Sequence, residues 1–98
     1  MSALVAAIVE GIILVIDIYI WVLIASAIFS WLIAFNVVNT HNQIVHTIGE
    51  TLYRLTEPAL RPIRRLLPNL GGLDISPVIL IIILIVIQRF LVRLLYGG

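Results

Sequence analysis

The sequence predicts an all-α membrane protein in which two transmembrane helices are joined by an amphipathic surface helix and a Pro/Arg-rich turn segment. Three observations carry this. Of 98 residues, 62% are hydrophobic and 11% charged, with a mean hydropathy of +1.21, against about 45–50% apolar and about 25% charged in soluble domains. Two long apolar runs, about 4–38 and 76–96, account for most of that excess. Between them, 40–74 changes character and holds four of the six Arg residues, the chain having no Lys. The whole, 1–98, reads as one unit. A soluble domain this short buries only about two-thirds of its unfolded surface, so much of the Ile and Leu would face water.

The first run, Leu4 to Val38, is interrupted only by Glu10 and Asp17 among charged residues. As a helix it measures about 50 Å against a hydrocarbon core of about 30 Å, so one end must protrude or the helix must tilt. Ala25-Ser26-Ala27 has the look of a signal-peptidase site. The leading residues carry no Lys or Arg, two acids sit inside the run, and apolar sequence continues past the site, so a retained span is the better reading.

The second run opens with Ser76 placed as an N-cap and Pro77 at the first helical position, where a missing N–H costs nothing. From Pro77 to Tyr96 the helix just spans a core of about 30 Å, with Tyr96 as an interfacial anchor. Strands are disfavoured, because an open two-segment sheet leaves its edges unsatisfied in lipid.

In the middle segment, Thr40-His41-Asn42-Gln43 has the form of a capping box, and Ile44, Val45, Ile48, Leu52 and Leu55 recur at helical spacing. This predicts an amphipathic helix on the membrane surface up to about Thr56. Pro58 and Pro62 are expected to end it, each lacking a donor and pushing its predecessor out of the helical region. Short turns then place Leu60, Ile63, Leu66 and Leu67 inward and Arg61, Arg64 and Arg65 toward headgroups, with a turn at Pro68 to Gly72. Arg54, Arg61, Arg64 and Arg65 outweigh Arg89 and Arg93 as topology signals, so 40–74 is expected on the cytoplasmic side of the inner (plasma) membrane and both termini on the other.

Thr56-Glu57-Pro58-Ala59-Leu60-Arg61-Pro62-Ile63-Arg64-Arg65, followed by Pro68, Gly71-Gly72 and Asp74-Ile75-Ser76-Pro77, resembles the YggT family of small bacterial membrane proteins, also called YlmG-like. Ser30-Trp31 fits the same pattern, so the resemblance covers nearly the whole chain. Some branches carry an Arg shortly before that Ser-Trp pair. Here the positions read Ala25, Ser26 and Ala27, and no role of such an Arg transfers. The resemblance implies a part in assisting other membrane machinery: relatives are linked to osmotic or envelope stress, to division and nucleoid distribution, and in chloroplasts to maturation of a b-type cytochrome. It brings no catalytic residues and no cofactor.

Absence of Cys closes thiol, disulfide and thiolate-metal chemistry. His41 and His46, five apart, project about 140° from one another on a helix, a poor chelating geometry. They read as polar residues of a surface helix, His46 near Glu50. No basic stripe with groove-reading or stacking elements suggests nucleic acid.

Glu10 and Asp17 share a helix face about 10 Å apart, and Arg89 and Arg93 form a basic stripe on the second span. Counted from the loop, Asp17 and Arg93 fall at similar depth, which predicts an intramembrane ion pair. A partner contact or an ion path are the other readings. Tyr19, Ser26 and Ser30 mark a second packing face on the first span, which favours self-association or contact with other integral membrane proteins. Arg54, Arg61, Arg64 and Arg65 would hold anionic headgroups at about 1 kcal/mol each, or dock a partner. Together these features favour a non-catalytic protein that assists assembly or organisation of a membrane complex. The alternative is an oligomeric ion-transport or osmotic-stress component.

Overall fold

The computed structural model describes residues 2–39, 41–67 and 75–97. They form three helices: α1 (Ala3–Ala34), α2 (Gln43–Leu66) and α3 (Ser76–Tyr96). Thr40, the Pro68 to Gly72 turn and Asp74 lie outside the described residues. Two helices, α1 and α3, are long and apolar enough to cross a membrane. Most of their large apolar side chains point outward, and only Ile20, Leu23 and Ala27 of α1 and Leu80 of α3 are buried among their hydrophobic residues. A soluble core helix would show the reverse.

α1 begins under Ser2, whose Oγ accepts from the Val5 N–H at 3.2 Å. It ends four residues before the apolar run does. Asn36 adopts a left-handed φ of 62°. The Asn36 N–H then donates to the Ile33 carbonyl at 3.1 Å and the Val37 N–H to the Leu32 carbonyl at 2.9 Å. This paired closure satisfies the last carbonyls, and Asn is among the few residues other than Gly to tolerate that backbone.

α2 departs further from expectation. Its N-cap is Asn42, whose Oδ1 accepts from the Ile44 and Val45 N–H groups at 2.8 and 3.4 Å. The helix then runs unbroken through Pro58 and Pro62 to Leu66. Both prolines sit on the exposed side, so the carbonyls they leave without an N–H face outward. Thr56, Glu57 and Leu60 are buried on the other side. Tertiary burial there outweighs a local cost of about 3 kcal/mol for an interior proline.

α3 is capped by Ile75, one residue earlier than expected, with Ser76 and Pro77 in its first turn. It closes at Gly97, whose φ is 68°. The core of the bundle is one leucine from each helix, Leu23, Leu60 and Leu80, with Tyr19, Ala59, Ile63, Ile81 and Leu84 packed around them.

The Gln88 Nε2 donates to the Ile13 carbonyl at 3.1 Å and fixes the register of the two spans. Ile13 lies 22 residues before Phe35, whereas Gln88 lies only 11 after Pro77. On the loop side α1 therefore outruns α3 by about 16 Å. The first half of α2 packs on that overhang and its second half on both spans.

Candidate functional site

The proline-bearing turn of α2 is held from both sides. Glu57, buried, forms an ion pair with Arg64 two turns on. Thr56 Oγ1, also buried, donates to the Leu52 carbonyl at 2.7 Å. Tyr19 Oη on α1 donates to the Leu55 carbonyl at 2.9 Å. That carbonyl belongs to the turn just before Pro58, where the ladder is weakest. Composition gave no signal for Glu57, which sits among arginines and reads as one more solvated charge. Its spacing of seven from Arg64, hence a shared helix face, was the available clue.

Tyr19, Ser26 and Ser30 do share a packing face, and the structure gives it to α2. Ser26, Phe29, Ser30 and Ile33 of α1 and Val45, Gly49, Tyr53 and Thr56 of α2 line a groove of about 390 Å³. Gly49 permits the approach: a Cβ there would lie 2.7 Å from Phe29 Cε1. This face of α1, read as favouring self-association or other membrane proteins, is thus packed by α2 of the same chain.

α2 has two further sides. Arg54, Arg61 and Arg65 are exposed and fall within about 40° of each other around the axis. Arg64, expected beside them, is turned inward to Glu57 and is only half exposed. Arg54 Nη2 also reaches Glu50 at 2.6 Å, and His46 Nε2 stands 3.9 Å from the same carboxylate. About 100° round from the arginines, Ile44, Ile48, Leu55 and Leu66 form an exposed apolar stripe.

Glu10, Asp17, Arg89 and Arg93 all line a second groove, of about 570 Å³, between α1 and α3. They are exposed, and neither acid is in ion-pair contact with either Arg. The register explains why. Four residues toward the loop from Ile13 and from Gln88 lie Asp17 and Leu84, so Asp17 is offset from Arg93 by about 14 Å along the axes and from Arg89 by about 7 Å. Glu10 is level with Leu91, between the two arginines. Counting depth from the loop ignored the overhang of α1. Among the described residues no cluster of metal-ligating side chains occurs.

The CCB3/YggT family model matches residues 5–95. "Uncharacterized protein YggT" of Escherichia coli (strain K12) is 46% identical over 68 residues, 69% of this chain and 31% of that protein. An "Uncharacterized protein" of Haemophilus influenzae is 39% identical over 77 residues, 79% of this chain and 38% of that protein. The chain thus spans about a third of the length of these curated relatives. No solved structure matches.

Proposed function

This chain belongs to the CCB3/YggT family, and from that premise we propose that it is a non-catalytic membrane protein that assists assembly or organisation of a membrane complex, cell-envelope, division or cytochrome-related. In this reading it sits in the inner membrane with α2 along the cytoplasmic surface and both termini opposite. The observation that carries it is the three-sided α2. One side is spent on the bundle through Leu60, one is an apolar stripe, and one is a row of three arginines. An in-plane helix has these needs: apolar residues among acyl chains and cations at headgroup level. Three exposed arginines near anionic lipid contribute about 3 kcal/mol of attachment. The seated helix then offers the spans and its own surface to other integral membrane proteins.

The transport alternative has less in its favour. The charged groove between α1 and α3 stops at Asp17 and Ile85. Loopward of it the bundle closes on buried Ile20, Leu23, Ala27 and Leu80, so among the described residues this groove does not continue to the loop side.

Two measurements test the reading. With the full-length protein in nanodiscs, amide exchange across 43–66 should be slower in phosphatidylglycerol-containing discs than in phosphatidylcholine discs. Arg54→Gln/Arg61→Gln/Arg65→Gln should abolish that difference. Equal protection of the unsubstituted protein in both lipids would remove the anionic-surface role. Mild-detergent purification from native membranes should yield a reproducible complex, and a chain that emerges alone would count against an assembly role.

A further inference from the structure

We propose that the groove between α1 and α3 is the self-association surface of the protein, filled by the same groove of a second copy. The inference goes beyond the seating of α2 and holds whether or not α2 selects anionic lipid.

Depth makes the case. α3 is 21 residues long, or about 31 Å, so it matches a hydrocarbon core of about 30 Å with little to spare. Asp17, level with Leu84, lies about 18 Å in from the Tyr96 end, close to the bilayer midplane. Glu10 and Arg89 lie about 8–10 Å in from that end. Only Arg93 is near enough to the surface to extend its guanidinium into the headgroups. An ionisable side chain at such depth normally faces a bundle interior and pairs there. Here the three deeper groups face outward, into a groove open to lipid. Gln88 already turns its amide to the Ile13 carbonyl, so the floor of the groove is satisfied and its charged walls are not.

The walls are self-complementary. The α1 wall carries two acids and the α3 wall two bases, so the face is neutral overall and of opposite sign on its two sides. Copies inserted in the same direction are related by a two-fold axis along the membrane normal, which keeps every residue at its own depth. The acidic wall of each copy then meets the basic wall of the other. Glu10, level with Leu91, falls between the partner copy's two arginines. Asp17 is about 7 Å loopward of Arg89, and the side chains converge: a helical side chain leans toward its helix N-terminus, which carries Asp17 away from the loop and Arg89 toward it. Burial of both walls takes the three deeper charges of each copy out of lipid, six in the pair, and each pairing occurs twice.

Complementation in one membrane tests this. Differently tagged copies of the unsubstituted chain should co-purify from a lipid-preserving extraction. Copies bearing Glu10→Leu/Asp17→Leu should not co-purify with each other, nor should copies bearing Arg89→Leu/Arg93→Leu. The two variants expressed together should associate, because one acidic and one basic wall remain to meet. To guard against variants that fail to fold, an otherwise unaltered pair is used: the chain has no Cys, so Leu14→Cys in one tagged copy and Ile85→Cys in the other should form an inter-copy disulfide on mild oxidation. Val15→Cys with Ile83→Cys, exposed on the sides of α1 and α3 turned away from the groove, should not. Unsubstituted copies that do not co-purify, variants that self-associate like the unsubstituted chain, or cross-linking no greater at the groove than at the control positions would each overturn the proposal.

Discussion

Glu57 and Arg64 close an ion pair two turns apart on α2, across the stretch that contains Pro58 and Pro62. The pair bridges the place where the backbone ladder lacks two donors, so side chains hold the helix together where the main chain cannot. Arg64 has further interactions besides.

Loss of one partner should therefore cost more than loss of both. Glu57→Gln leaves the Arg64 guanidinium partly buried without its counter-charge. Because Arg64 is 37% exposed at its side chain, the penalty falls below that of a fully buried pair, at about 2–3 kcal/mol. Thermal unfolding in detergent should show Glu57→Gln melting well below the unsubstituted chain, and Glu57→Leu/Arg64→Met recovering part of the difference.

Tyr19→Phe removes the one side-chain donor that reaches the Leu55 carbonyl from α1. The expected loss is about 1 kcal/mol. Its signature is local: hydrogen exchange should speed up around residues 55–61 while α3 is unchanged. A uniform change across all three helices would show that the bond is not specific to the proline turn.

Gly49→Ala should push Phe29 aside, since the new Cβ would stand 2.7 Å from the ring. Overpacking of this kind costs about 1–3 kcal/mol, and Phe29→Leu in the same chain should relieve much of it. A melting temperature for Gly49→Ala equal to that of the unsubstituted protein would mean that α2 does not lie so close to α1.

The proposed orientation, with α2 on the cytoplasmic side, has a direct test. His41→Cys, exposed just before the helix, should react with a membrane-impermeant thiol reagent only once the cytoplasmic side is opened. Reaction in intact cells would invert the topology.

The spans were legible because lipid imposes a long, predominantly apolar run. Their ends were less so. The first run continues to Val38, but a single Asn36 in left-handed backbone stops the helix at Ala34, and hydropathy is blind to that. The capping box was misplaced because Thr40 and Asn42 are both competent caps, and the choice of Asn42 rests on how the preceding turn closes. Pro58 and Pro62 misled for a different reason. Local rules give the cost of an interior proline correctly, yet say nothing of the burial of Leu60 or of the pairing of Glu57 that offsets it. The charged residues of the spans were all identifiable, since any Asp, Glu or Arg in such a run stands out. Their mutual depth was not, because it depends on how far one helix slides past another, and only a cross-helix bond such as Gln88 to Ile13 reports that.

The three-leucine core also makes the seating of α2 depend on sequence that comes after it. Leu23 and Leu60 are made before Leu80, and the socket for Leu60 is complete only when α3 delivers its share. Without α3, the Leu60 side chain has cover from the α1 side alone, at Leu23. The third helix is therefore what completes the seat of the second. A chain stopped before Leu80 retains every arginine of α2, yet lacks the residue that holds the helix to the bundle.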